Sequence, residues 1–197
     1  HGQFTAAGAI RLARAITEFD PLWFEEPIPP DNPAEMAKVA RAVSIAIATG
    51  ERLCMASEFA SLLDHGAAAI LQPDLGRVGG IREAAKIAAM AAVKHVQVAP
   101  HLYCGPIVAA ANIQFAAATP NFLIAEMIDN MSGFHARLLN NPIVVEDGHV
   151  IVPTAPGLGV TLNEEVARAH PYDGDKLHLE MEAKPYDNAY SGEFAGG

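Results

Sequence analysis

The chain has 197 residues, 51% of them hydrophobic, with 13 Lys and Arg against 23 Asp and Glu and a formal charge of −10. An acidic chain with no basic run lacks the footprint for nucleic acid or an anionic membrane surface, and its longest apolar stretches, such as 107–118, fall short of the roughly 20 residues of a membrane span. Cys54 and Cys104 lack metal-ligand spacing, which excludes a disulfide framework or zinc site and leaves a globular, cytoplasmic protein as the expectation.

In chain order, short uninterrupted apolar runs at 22–24, 45–48, 69–71, 96–99 and 122–124 read as buried parallel strands. Helical stretches at 5–19, 34–43, 57–64, 81–94 and 106–118 alternate with them, the last with Pro106 in its first turn. Each strand ends in a residue able to do chemistry: Glu25, Glu51, Asp74, His101 and Glu126, at intervals of 26, 23, 27 and 25 residues. An even unit of about 25 residues with reactive groups at one end of every strand predicts part of an α/β fold of the (β/α)8 barrel type. An open doubly wound sheet is the runner-up, but Gly79-Gly80 lacks the spacing of its phosphate-binding turn.

Residues 1–127 are read as barrel units from the end of the third strand through the eighth, with at least two strands lying before His1. Residues 128–163 form a C-terminal segment, with a turn at Asn140-Asn141-Pro142 and a strand pair around Val144 and Val150. Residues 164–197 are read as a surface tail. The isolated segment is expected not to close a barrel.

Glu25 and Glu51 end neighbouring strands and face one space, where their repulsion calls for a cation. All-oxygen ligation favours a hard divalent ion such as Mg2+. The alternative is that either glutamate pairs with a lysine or arginine. Glu26 points off the strand the other way and is read as a supporting or packing residue. His101 and Asp74 lie one strand apart and can touch, and a carboxylate on one imidazole nitrogen makes the other a base; a core histidine satisfied by a carbonyl is the plainer reading. Glu126 is read either as a hydrogen-bond donor to developing negative charge or as a loop cap. Tyr103 and Cys104 are placed at the mouth, with substrate contact and loop packing both open. His65 and His95 sit at helix C-termini, where a dipole contact is expected. His1 faces the mouth if a strand ends just before it. A hard metal, a base and a donor suit proton abstraction beside a carboxylate.

These motifs resemble the mandelate racemase and muconate lactonizing enzyme branch of the enolase superfamily. Trp23-Phe24-Glu25-Glu26-Pro27 and Ala48-Thr49-Gly50-Glu51-Arg52 resemble its fourth- and fifth-strand metal motifs. Gln72-Pro73-Asp74 with Gly79-Gly80-Ile81, then Ala99-Pro100-His101, resembles its Asp/His dyad, and Glu126 falls at its eighth-strand glutamate. His1-Gly2 resembles the pair that galactonate dehydratases carry after their first metal-binding aspartate. The resemblance implies an N-terminal capping domain before residue 1, toward which 128–163 returns, and Mg2+ on Glu25, Glu51 and an aspartate before residue 1, with His101 as base and His1 as acid. It also implies Glu126 on the substrate and dehydration of an acid sugar to a 2-keto-3-deoxy acid. A racemase or epimerase with the same site is the alternative, a silent relative the remote one. A homo-oligomer with a small-molecule substrate is expected.

Overall fold

The structure, a computed structural model, describes residues 2–171. Helix α1 (Ala6–Ile16) starts where Thr5 Oγ1 accepts the Gly8 N–H at 3.2 Å, and α2 (Pro33–Ala42) where Asn32 accepts from the Glu35 N–H with proline in the first turn. In α3 (Ala56–His65) the Glu58 carboxylate reaches back to the N–H groups of Cys54 and Met55, and Gly66 closes the helix in the left-handed conformation. A single turn, α4 (Leu75–Val78), precedes α5 (Ile81–Val93), and α6 (Pro106–Ala117) completes the long set.

Strands β1 (Phe24–Glu25), β2 (Ile47–Thr49), β3 (Ile70–Leu71) and β4 (Gln97–Val98) form a parallel sheet in chain order, with Phe24 opposite Ile47, Ala48 opposite Ile70 and Leu71 opposite Val98. Neighbours in space are neighbours in sequence, and no strand order reverses among the described strands. The doubly wound alternative, which needs such a reversal, is thereby excluded among them.

Successive strand residues face opposite sides. Ile47, Leu71 and Val98 pack outward with Met36, Val39, Phe59, Leu62 and Ile87 of the helices in the main core. Ala48, Ile70 and Ala99 face inward as a smaller layer with Trp23 and Leu123 against it. A third cluster, built on Leu102, Ile113, Met131, Leu139 and Ile143, lies under the C-terminal segment. No described helix is long and apolar enough to cross a membrane, and both cysteines are free.

One expectation is corrected. The strand expected at 122–124 is one bridge residue, Phe122 beside Val98, flanked by Val98 N to Asn121 O at 2.9 Å and Leu123 N to Val98 O at 2.8 Å. The strand pair expected around Val144 and Val150 is present as β5 (Val145–Glu146) and β6 (His149–Val150), antiparallel, after a short α7 (Gly133–Arg137). Residues 164–169 form α8 (Glu164–Ala169), which has no buried residue and starts where Asn163 accepts the Val166 N–H at 3.2 Å. The remainder of the expected surface tail, 172–197, and His1 lie outside the described residues.

Candidate active site

The C-terminal ends of β1 to β4 open on one cavity of about 780 Å³. Glu25, Glu51, Asp74, His101, Tyr103 and Glu126 all line it, so six side chains from five separate motifs of the sequence meet there. Cys104 lines it too, as does Arg77, which the sequence reading did not single out.

Glu25 closes β1, and its Oε2 accepts from Gln72 Nε2 at 2.7 Å and from Trp23 Nε1 at 3.0 Å. Gln72 leaves the end of β3, so one amide reaches across two strands to orient the carboxylate. Glu51 follows β2 after Gly50 and is 9% exposed. Its Oε2 stands 3.7 Å from His101 Nε2. Burial pushes the Glu51 carboxyl above its ordinary value; the charges of Glu26 and Glu25 add to this, while His101 and Arg52 pull the other way.

Asp74 is 2% exposed and divides its oxygens. Oδ2 lies 2.8 Å from His101 Nδ1, and Oδ1 accepts the Gly76 N–H at 2.7 Å as the cap of α4. An ionised carboxylate only accepts, so the neutral tautomer that suits this contact has its proton on Nδ1 and its lone pair on Nε2, the nitrogen nearer Glu51. The backbone of His101 is held as well, its carbonyl accepting from Asn112 Nδ2 at 3.1 Å in α6. Glu126 Oε2 accepts the Leu102 N–H at 2.7 Å, which ties the far wall to the residue after His101. Burial, and then the nearby Asp74 charge, push the Cys104 thiol up.

Glu26 turns away from the cavity, as its place in the strand requires. Its carboxylate accepts from Thr49 Oγ1 at 3.1 Å and pairs with Arg52 Nε at 2.7 Å.

The donors present fit a hard divalent ion: Glu25 and Glu51 offer only carboxylate oxygens, both into one cavity, where a cation would offset the repulsion that raises Glu51. Among the described residues no three His, Cys, Asp or Glu side chains form a cage by themselves. Arg77 escaped the sequence reading because α4 is one turn long and shows no periodicity. The signal available was Asp74 as an N-cap with Gly79 five residues on, in the left-handed conformation that ends the turn.

Residues 1–166 match the family described as enolase C-terminal domain-like. The chain is 37% identical over 177 residues to a D-xylonate dehydratase of Haloferax volcanii, covering 90% of this chain and 43% of that protein. It is 38% identical over 174 residues to a D-galactonate dehydratase of Variovorax paradoxus, covering 84% of this chain and 45% of that one. A solved mandelate racemase/muconate lactonizing enzyme from Sulfitobacter is 61% identical, with a TM-score of 0.87 over 92% of this chain and 46% of that one. The chain thus spans less than half the length of the relatives it matches. With its parallel sheet, its strand-end carboxylates and these matches, the chain belongs to the enolase C-terminal domain-like family.

Proposed function

We propose that this chain carries the catalytic groups of a Mg2+-dependent acid-sugar dehydratase. The observation that carries the reading is the Asp74–His101 contact at 2.8 Å with His101 Nε2 facing the cavity that Glu25 and Glu51 share. Relatives named as xylonate and galactonate dehydratases support the substrate class.

Glu25 and Glu51 would hold the ion, which when bound supplies Lewis-acid stabilisation of negative charge on the substrate carboxylate. His101 Nε2 takes the C2 proton while Asp74 keeps the ring in the tautomer that can accept it. Glu126, if protonated, donates a hydrogen bond to the carboxylate oxygen where charge develops. His1 gives a proton to the 3-hydroxyl as it leaves as water, and the enol that remains tautomerises to a 2-keto-3-deoxy acid. The setting consistent with this reading is a cytoplasmic homo-oligomer.

The test is His101→Asn, which should abolish both C2 proton exchange in D2O and formation of the 2-keto acid. Exchange that persists places the base elsewhere. A racemase or epimerase is the second reading, favoured by the likeness to the Sulfitobacter structure. It requires exchange at C2 with inverted product and no 2-keto acid.

A further inference from the structure

Glu26 is the acidic residue that the proposed chemistry leaves unused, and it is costly to keep. Its side chain is fully buried, and its backbone sits at φ +34°, a region a residue with a Cβ rarely occupies. A buried carboxylate persists only where it is paired and hydrogen-bonded, which Arg52 Nε and Thr49 Oγ1 provide. The backbone carbonyl of Glu26 is engaged as well, accepting the Gly2 N–H at 2.6 Å, and Phe4 N follows by donating to Pro27 O at 3.3 Å.

Gly2 is itself left-handed, at φ +57°. The space where a Cβ would stand on it is taken by Arg52 Nη2, with the Ile28 carbonyl oxygen 3.1 Å away. One guanidinium therefore has its Nε on the Glu26 carboxylate and its Nη2 against the Gly2 α-carbon, while the Glu26 carbonyl holds the Gly2 amide. The three residues close a bracket in which a side chain at position 2 would displace the tip of Arg52 and strain the left-handed backbone.

We propose that the Glu26–Arg52–Gly2 bracket is a positioning device for the leaving-group half of the reaction, fixing the backbone next to His1 independently of the His101 side. This rests on the proposed function, which gives His1 the acid role. A lysine at 52 can keep one charge contact with Glu26, but a single ammonium has no second nitrogen to lie over Gly2. An alanine at 2 evicts Nη2 and strains the backbone.

The experiment uses the full-length protein with an acid sugar that it turns over, and the variants Arg52→Lys and Gly2→Ala. Four quantities are read: 2-keto acid formation, C2 deuterium uptake in D2O, Mg2+ affinity by calorimetry without substrate, and turnover of the 3-deoxy-3-fluoro analogue. In that analogue the C2–H bond gives its proton to His101 and the C3–F bond breaks to fluoride, a leaving group that needs no protonation. The expected result is dehydration lowered by about tenfold to a hundredfold, the size of a misplaced group. Deuterium uptake and Mg2+ affinity stay near wild type, and fluoride elimination is restored to near the wild-type rate. If dehydration, uptake and metal affinity fall together and the fluoro analogue gives no rescue, the bracket is only structural and the proposal is overturned. A wild type inert on every acid sugar would instead overturn the proposed function, and the bracket's part in catalysis with it.

Discussion

His101 and Asp74 are joined through Nδ1 and Oδ2 at 2.8 Å, and the second oxygen of Asp74 is committed to the Gly76 amide at 2.7 Å. The aspartate cannot rotate to please one partner without losing the other. Asp74→Asn separates the two contacts, since the amide oxygen can still cap α4 but its NH2 group then faces Nδ1 and forces the proton onto Nε2. C2 proton exchange should fall by about 10²- to 10⁴-fold with the circular dichroism spectrum unchanged. Exchange within twofold of wild type would remove His101 from the base role.

Glu126 accepts the Leu102 N–H through Oε2 and lines the cavity. Glutamine at this position keeps an acceptor for that amide and brings N–H donors to the cavity, whereas alanine keeps neither. We expect Glu126→Gln to retain kcat within about tenfold and Glu126→Ala to lose about 10²- to 10³-fold, with KM less affected than kcat. Equal losses in the two variants would reduce Glu126 to a loop cap.

Cys104 reacts as the thiolate, and both burial and the Asp74 charge disfavour that form. A raised pKa means less thiolate at any given pH, so the onset of alkylation moves to higher pH. Iodoacetamide at pH 8 should therefore label the exposed Cys54 before Cys104, and Asp74→Asn should speed labelling of Cys104. Mass spectrometry of time points checks the order, and faster labelling of Cys104 contradicts it.

Gly50 stands between Thr49 and Glu51 at φ +136°, and a Cβ there would lie 2.7 Å from Phe59 Cε1 and 3.1 Å from the Gln72 amide nitrogen. Gly50→Ala should cost about 1 to 3 kcal/mol by urea unfolding, the usual scale of overpacking. Phe59→Leu in the same chain should recover part of that cost, giving a double variant less destabilised than the two single effects summed. Full additivity would show that Phe59 is not what the alanine meets.

Much of this was legible in the sequence because the unit of about 25 residues carries its own phase. The five helices between 5 and 118 are found within two residues or so of their expected ends, α1 with a short 3-10 turn at Thr17–Phe19 continuing it. The seven described side chains expected at the mouth, Cys104 among them, share one cavity. What escaped depends on pairing rather than pattern. That Glu26 points away from the cavity follows from alternation, but that Thr49 and Arg52 receive it depends on the register that sets Glu25 opposite Ala48. Gln72 belongs to a motif legible in the chain, yet its reach to Glu25 is a cross-strand contact that no spacing announces. The strand expected at 122–124 shrank to one bridge because Asn121 spends its side chain on the carbonyls of Ala88 and Val96, pinning the turn into it.

The pairing of Glu25 with Glu26 also sets how this protein can change over time. One neighbour lines the cavity and the other is locked into the scaffold, and the two differ by a single step along the backbone. A lost or gained codon between Trp23 and Pro27 that left the reading frame intact would exchange their surroundings, turning the cavity carboxylate into the wall and the anchored one into the cavity. Substitution scans would pass over this vulnerability, whereas a scan of one-residue deletions would find a short stretch of chain whose length is held as tightly as its composition.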